Sequence, residues 1–213
     1  MTADADDGTI RGATVRLRPI EVEDLSFLAD LANDRTVESM VVDWAFPLAV
    51  SGQQAWFERA ASDPRTRRLL VVGPDGRRLG MTGLWELDWR NRHAMVGVKL
   101  HPAAAEEKGL GTDTIKTISA WAFHDVGLQK LHATILDFNG PSMGAFAKNC
   151  GWKIEGVMRR HVFRKGAFHD LYVLSILREE FDALPDSAAY VERINPVDTG
   201  AKVETFPEWF ASS

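Results

Sequence analysis

The sequence predicts a single mixed α/β (α+β) domain, in which helices flank a central, mostly antiparallel sheet. Strand-like and helix-like runs alternate along the chain, and two pairs of strand-like runs are joined by turns typical of hairpins. A length of 213 residues with 45% hydrophobic content can bury one substantial core but not two. The order of the runs differs from that of a doubly wound array of parallel strands.

Composition divides the chain into three parts. Residues 1–12 are polar and acidic, and we expect them to be disordered. Residues 13–180 carry the regular pattern and form the predicted domain. Residues 181–213 are a C-terminal extension that contains Phe206, Trp209 and Phe210. Exposed aromatic residues usually mark a contact, so we expect this extension to dock on the domain or on a second copy, with a homodimer as one outcome.

The first half of the domain predicts a strand, two helices and a three-stranded meander. The first strand alternates apolar residues with arginines, and leucines at helical spacing follow it. Ser51 is placed to cap the second helix. The predicted elements are a strand at 13–19, helices at 21–33 and 51–61, and strands at 68–72, 80–87 and 94–100, with a turn at 73–76.

The second half predicts two helices, a strand and a hairpin. Apolar residues at helical spacing run from Thr114 to Val126, and Gly127 stands where a helix stop is expected. A strand follows at 130–136 and a short helix from Ser142 to about residue 149. The last predicted strands, at 155–164 and 167–176, form a hairpin that turns at Lys165 and Gly166.

The segment HPAAAEEKGLGTD at 101–113 stands between a strand and a helix. Gly109 and Gly111 permit positive φ and a close backbone approach, while the first amides of the helix lack partners within it. Together with the positive end of the helix dipole, these amides suit an anionic pyrophosphate. The alternative is an ordinary strand-to-helix turn that required glycines.

Composition also limits the classes of function. A net charge of −5 without a run of Lys or Arg argues against nucleic acid as a partner. The N-terminal residues lack the apolar core of a signal peptide, and no apolar run is long enough to span a membrane. Cys150 is the single cysteine, so no intrachain disulfide forms and a cytoplasmic location is expected. The six histidines lack ligand spacing, so no metal site is expected.

The order of motifs resembles the GCN5-related N-acetyltransferases (GNAT), in particular the RimJ/RimL-like branch that acetylates protein N-termini and small amines. The resemblance covers about residues 13–180. The segments that carry it are VRLRPIEVEDL at 15–25, GLGTDTI at 109–115, DFN at 137–139 with Ser142, NCGW at 149–152, EGVMRR at 155–160 and GAFHD at 166–170.

The resemblance implies a GNAT fold whose sheet is splayed between its fourth and fifth strands, here 94–100 and 130–136. Acetyl-CoA, or another acyl-CoA, would lie in that opening as the acyl donor, with no metal. Its pantetheine would pair with the strand edge at Val98 and Leu100, and Asn139 would contact the pantetheine or the loop beside it. The pyrophosphate would bind the amides of Lys108, Gly109, Leu110, Gly111 and Thr112.

Two side chains are candidate catalytic residues. Ser142 would give its proton to the departing thiolate, as a serine at this position does in the RimL type, or it would only cap a helix that begins at Met143. His161 lies beside the expected acceptor groove and has a suitable intrinsic pKa for a base, although a surface histidine of a hairpin is the alternative. Cys150 stands at a helix C-terminal end, where the dipole disfavours a thiolate, and is rejected as a nucleophile.

The chain departs from the family pattern at several positions. The acidic pair Glu106 and Glu107 stands where relatives have Gln or Arg and then Gly, and we expect these side chains to point to solvent. The tyrosine that many relatives use as an acid falls at Phe146 or Ala147. Residues 139–151 are one residue longer than usual, which leaves the register of Asn139 and Ser142 open.

The expected function is transfer of an acetyl or other acyl group to a primary amine, on a small molecule or a protein N-terminus, by direct attack on the thioester. The alternative is a non-catalytic acyl-CoA-binding or regulatory module, since the tyrosine is missing. Four tryptophans, Trp44, Trp56, Trp85 and Trp89, are candidates for the wall of an acceptor pocket, with packing as the alternative for each.

Overall fold

A computed structural model describes residues 8–42 and 47–194 of the chain. Its eight strands form one sheet in the order β1-β2-β3-β4-β5-β6-β8-β7. All neighbouring strands are antiparallel except β5 and β6, which confirms the predicted mixed, mostly antiparallel sheet. The strands are β1 (Ile10–Arg11), β2 (Arg16–Pro19), β3 (Arg67–Val72), β4 (Arg78–Asp88), β5 (His93–Leu100), β6 (Lys130–Leu136), β7 (Lys153–Arg164) and β8 (Ala167–Leu177).

Helices cover both faces of the sheet. A 3-10 turn at Val22–Asp24 leads into the first of them, and a π-helix at Gly144–Asn149 follows the sixth. The α-helices are α1 (Leu25–Asn33), α2 (Arg35–Met40), α3 (Val50–Ser62), α4 (Pro102–Ala105), α5 (Leu110–His124), α6 (Gly140–Met143), α7 (Arg178–Asp182) and α8 (Ser187–Ile194).

The alternation of side chains along β3 shows how the two faces are filled. Leu70 and Val72 pack with α1 on one face, whereas Leu69 and Val71 pack with α5 on the other. A strand buried on both faces has a continuous apolar run instead of an alternating one. This explains why RRLLVV ends in four consecutive buried residues.

The start of the described chain is joined to the domain by a strand and by one buried carboxylate. Ile10 and Arg11 pair with β2 as β1, so the expected disorder of residues 1–12 is wrong for this pair, because the Ile10 side chain joins the core. Residues 1–7 lie outside the described residues. Asp113 of α5 accepts backbone hydrogen bonds from residues 13, 14 and 15, at N···O distances of 2.9, 2.6 and 2.8 Å.

The described part of the C-terminal extension packs on the domain. The predicted boundary after residue 180 falls inside α7, and Phe181 lies against Phe123 with ring centroids 5.6 Å apart. Helix α8 packs on α5, where Tyr190 is buried and Lys116 contacts Asp186 at 2.6 Å. The aromatic residues of 206–210 lie outside the described residues.

The described residues were compared with two kinds of feature, namely membrane-spanning helices and clusters of metal-binding side chains. None of their helices has both the length and the apolar content that a bilayer crossing needs. Within the same ranges, no group of three or more His, Cys, Asp and Glu side chains is placed to hold a metal ion.

Candidate functional site

A cleft opens where β5 and β6 separate. Residues 93–95 pair with residues 130–132, and beyond them the two strands diverge while β5 stays paired with β4 out to Leu100. The cleft has a volume of about 630 Å³ and is lined by Val98, Leu100, Thr134 and Ile135, among others. The splay predicted between 94–100 and 130–136 is therefore confirmed. These strands are the fifth and sixth because β1 precedes them.

One end of the cleft is formed by the start of α5. Gly109 has a φ of 94°, in the left-handed region that favours glycine, and α5 begins at the next residue. The first amides of α5 have no partners within the helix, and Gly111 and Thr112 line the cleft together with Lys108. The Leu110 side chain is buried, so that residue offers only its backbone. This end of the cleft is suited to an anion.

Two carboxylates line the same end. Glu107 accepts a hydrogen bond from Arg77, with 2.8 Å between Oε1 and Nη2, and Arg77 also pairs with Asp75 in the β3–β4 turn. Glu107 is thus held by a cation of the neighbouring hairpin, and Glu106 is exposed. An exposed ion pair of this kind adds little stability, but it balances one of the two negative charges beside the turn.

Asn139 and Ser142 lie on the opposite wall. The Asn139 side chain caps α6 by accepting the Ser142 amide at 3.2 Å, and it donates to the Met40 carbonyl at 3.4 Å. The alternative that Ser142 caps a helix beginning at Met143 is wrong, because α6 begins at Gly140 and Asn139 supplies its cap. The half-buried Ser142 hydroxyl makes no hydrogen bond to any residue of the described ranges.

A π-helix at Gly144–Asn149 lies within residues 139–151, the segment that we expect to be one residue longer than in the family. A π turn takes one more residue than an α turn, so an added residue is absorbed without shifting the chain that follows. Phe146, one of the two positions where the family tyrosine was expected, is buried with its ring 4.9 Å from that of Trp152. This position therefore packs the wall of the cleft and carries no hydroxyl.

The other end of the cleft is walled mainly by apolar side chains. Trp85 packs against Gly97, where an added Cβ would lie 3.3 Å from the indole ring. Lys99 places its ammonium 4.9 Å from the centre of the same ring, a cation–π contact. The remaining apolar residues of this end are Val37, Met40, Val41, Val42 and Met95. The glutamates that line the cleft, Glu106 and Glu107, lie at the opposite end.

Of the candidate tryptophans, only Trp85 lines the cleft among the described residues. Trp56 lies under the guanidinium of Arg68, 4.6 Å from the ring centre, and Trp89 is exposed in the β4–β5 turn. Trp44 lies outside the described residues. Sequence reasoning missed most of the apolar residues at this end, since they come from three separate elements and share no local motif.

The structure does not place His161, His132 or Cys150 in the lining of the cleft. His161 is exposed on β7, at an irregularity between Met158 and Val162. His132 is half-buried on β6, and burial, followed by the nearby charge of His93, lowers its pKa below the usual value. Burial raises the pKa of the Cys150 thiol to about 12, which agrees with its rejection as a nucleophile.

Comparison with known families identifies the fold. The sequence profile of the acetyltransferase (GNAT) domain matches residues 14–153, which include β2 to β6 and the turn at Gly109. The chain therefore belongs to the GNAT family and is an N-acyltransferase of that type.

Curated relatives cover most of this chain. An uncharacterised N-acetyltransferase of an SPbeta prophage in Bacillus subtilis, YokL, is 28% identical over 176 residues, which are 80% of this chain and 94% of the relative. The spermidine N(1)-acetyltransferase of Escherichia coli K12 is 25% identical over 168 residues, which are 79% of this chain and 88% of the relative.

Solved structures share the fold at low sequence identity. A spermidine N-acetyltransferase from Vibrio cholerae, in complex with CoA and spermine, matches with a TM-score of 0.73 and 22% identity over 78% of this chain and 97% of its own. A dodecameric structure of spermidine N-acetyltransferase from that organism also matches, with a TM-score of 0.69. Mycobacterium smegmatis RimJ, in complex with CoA-disulfide, matches with a TM-score of 0.71 and 23% identity over 84% of this chain and 87% of its own.

Proposed function

We propose that this chain transfers the acetyl group of acetyl-CoA to a primary amine by direct attack on the thioester. The observation that carries the proposal is the cleft between β5 and β6, with the unpaired amides of α5 at one end and an apolar wall at the other. The pyrophosphate of the donor would bind the backbone amides from Lys108 to Thr112. The pantetheine would pair with the free edge of β5 near Val98 and Leu100, and Asn139 would lie beside it.

The reaction needs a neutral amine, because only its free electron pair can attack the thioester carbon. A primary ammonium has a pKa of about 8 to 10, and an α-amine lies near the lower value. At mildly alkaline pH a useful fraction of an α-amine is therefore already neutral, and water in the open cleft can accept the remaining protons. A dedicated base such as His161 is not required by this scheme.

The carbon–sulfur bond breaks as the new carbon–nitrogen bond forms. Backbone amides facing the cleft would stabilise the negative charge that develops on the thioester oxygen. Ser142 would donate its hydroxyl proton to the departing CoA thiolate and recover a proton that the amine releases. Support for this role comes from its position on the cleft wall and from its hydroxyl, which makes no hydrogen bond to the described residues.

The acceptor that fits the apolar end best is a monoamine with an apolar body. A polyamine carries several ammonium charges, and each buried charge requires a carboxylate partner. The described side chains that line the cleft around Trp85 and Met95 are mainly apolar. No carboxylate lines this end of the cleft among the described residues, so a second ammonium would lack a partner there, whereas an apolar group could displace water from the wall. An amine with an aromatic or aliphatic body, including an apolar N-terminal residue, meets these conditions.

The test is release of CoA thiol from acetyl-CoA in the presence of a panel of amines, with the product identified by mass spectrometry. We expect the acetylated amine as product, and a higher kcat/KM for 2-phenylethylamine than for spermidine. Preference for spermidine would contradict the acceptor class while leaving the reaction type intact. Binding of acetyl-CoA without turnover on any amine would contradict the reaction and favour the non-catalytic module, which the phenylalanine at position 146 makes the second candidate.

A further inference from the structure

A second cavity lies at the β2 side of the sheet, and the ion pair between Arg77 of its lining and Glu107 of the cleft lies between the two spaces. The cavity has a volume of about 640 Å³, and four arginines from two segments line it: Arg16 and Arg18 of β2, and Arg77 and Arg78 at the start of β4. Phe27 of α1 and Val72 of β3 add apolar surface. We call this space the arginine cavity. None of its lining residues lines the cleft.

The strand register explains why these guanidinium groups converge. Arg16 lies opposite Val72, and Val72 lies opposite Arg78, so the three residues form one row across three neighbouring strands. Side chains in such a row project from the same face of the sheet. The two arginines are separated by two strand spacings, about 10 Å. Long side chains at that separation can reach a single small ligand between them.

Ion pairs hold two of the arginines in place. The buried Asp24 accepts both Nη atoms of Arg18, at 2.7 and 2.9 Å, and Nε of Arg78 at 2.8 Å. The four terminal N–H groups of the Arg78 guanidinium are not used in this contact. A carboxylate that fixes an arginine in this way reduces the entropy that the arginine would lose on binding a ligand.

The charges of the cavity do not balance. Arg77 is paired with Asp75 and Glu107, neither of which lines the cavity. The four arginines of the lining carry four positive charges, and the carboxylates of Asp24, Asp75 and Glu107 balance three of them, which leaves a surplus of one. Arg16 makes no ion pair or hydrogen bond within residues 8–42 and 47–194. Glu21 and Glu23 are exposed near Arg18 but do not line the cavity.

From this arrangement we infer that the arginine cavity binds the phosphate group of a small organic phosphate. Guanidinium groups donate in a planar geometry that matches phosphate oxygens. Arg16 and Arg78 would donate to the phosphate, and Phe27 would contact the organic part of the ligand. The cavity volume is several times that of a phosphate group alone, which leaves room for such a body.

The experiment measures binding of phenyl phosphate to the full chain by calorimetry, with CoA present at saturation to fill the cleft. We expect binding to persist under saturating CoA, and to be weaker for inorganic phosphate, which has no ring to contact Phe27. Arg16→Gln removes the arginine that holds no partner in the described structure. It should weaken phenyl phosphate binding by about tenfold or more, since a charge-assisted hydrogen bond is lost.

Arg90→Gln is the matched control, because Arg90 is an exposed arginine of the β4–β5 turn and lines neither space. It should leave phenyl phosphate binding unchanged. The affinity for CoA and the melting temperature should be the same in both variants and in the original chain. The inference is wrong if phenyl phosphate does not bind, if CoA displaces it, or if Arg16→Gln binds it as tightly as Arg90→Gln does.

Discussion

Ser142 is the side chain on which the proposed chemistry depends most directly. Ser142→Ala removes the proposed donor of a proton to the thiolate, so we expect kcat to fall by about 10²-fold with little change in KM. Stability should hardly change, because the hydroxyl is not the cap of α6. Steady-state kinetics and thermal unfolding of the variant test both expectations. An unchanged kcat would remove Ser142 from the mechanism.

Asn139 provides the contrast for that experiment, since its side chain is the cap. Asn139→Ala should lower the free energy of unfolding by about 1 kcal/mol. His161→Ala is a second comparison: its side chain is exposed and does not line the cleft, so turnover should be retained across the pH range. A large loss of turnover in this variant would instead support His161 as the base.

Asp24 predicts a pH dependence of stability. Burial alone would raise its pKa, but hydrogen bonds from Arg18 and the Glu21 amide, with the charge of Arg78, outweigh burial and hold the pKa below its ordinary value. A carboxyl group with a lowered pKa in the folded state stabilises the fold above its unfolded pKa, near 4. That stabilisation is lost as the pH falls further.

We therefore expect Asp24→Asn to be less stable than the original chain by about 2 kcal/mol at neutral pH, because two arginines lose their charged partner. The difference should shrink as the pH is lowered below about 4. Urea unfolding at a series of pH values measures it, with Asp30→Asn on the exposed face of α1 as control. A difference that stays constant down to pH 2 would contradict this role of Asp24.

At the scale of elements, the first turn of α5 carries the expected binding of the donor. An added Cβ at Gly111 would touch only a Leu100 methyl, at 3.8 Å, so a side chain fits without disturbing the fold. Gly111→Asp would place a carboxylate against the pyrophosphate and should abolish CoA binding, measured by calorimetry, with an unchanged circular dichroism spectrum. Gly111→Ala is the control and should still bind. If Gly111→Asp binds CoA as tightly as the unsubstituted chain does, this turn is not the pyrophosphate site.

Elements with strong local signals were predictable from sequence. The strand at 130–136 has the predicted bounds, and the last hairpin turns at Lys165 and Gly166, which both have positive φ. Short elements were missed. Strand β1 has only two residues, and α2 has six, although Asp34 caps it by accepting the amides of Thr36 and Val37. Brief elements of this kind depend on tertiary contacts more than on propensity.

The candidate site was predictable only in part, for the same reason. The turn at Gly109 is a local motif in which the phosphate-binding groups belong to the backbone of one segment. The apolar end is formed where residues from α2, β4 and β5 pack together. No residue spacing in the sequence indicates that these three elements are in contact. The cap of α6 was misplaced because Asn139 and Ser142 are both good capping residues, and only the observed start of the helix distinguishes them.

At the scale of the whole molecule, the roles of helix α8 and of the residues beyond it can be tested separately with two shortened chains. A chain ending at residue 185 loses α8, and with it the buried Tyr190 and the contact between Lys116 and Asp186. We expect its melting temperature to fall by at least several degrees, because a core residue is removed and the face of α5 is uncovered. Thermal unfolding of the shortened and full chains measures this, and equal temperatures would contradict it.

A chain ending at residue 194 tests the residues beyond α8 separately, including Phe206, Trp209 and Phe210. We expect the full chain to form a homodimer through these aromatic residues and the shortened chain to be monomeric. The melting temperatures of the two chains should agree when they are extrapolated to low protein concentration, where the dimer dissociates. Light scattering after size exclusion gives the mass of each. If both chains have the same mass, this segment is not the dimer contact.

The hydrogen bonds that the Asp113 carboxylate accepts affect the order in which the chain folds during its synthesis on the ribosome. The carboxylate accepts amides that lie 98 to 100 residues earlier in the chain. At synthesis rates of about 5 to 20 residues per second, residues 13–15 emerge roughly 5 to 20 s before their acceptor does. Strand β2 can meet β3 during this interval, but its leading turn remains unanchored. Ribosome-bound chains stalled before Asp113 emerges should therefore be cut by protease near residue 13, and chains stalled after α5 has emerged should be protected there.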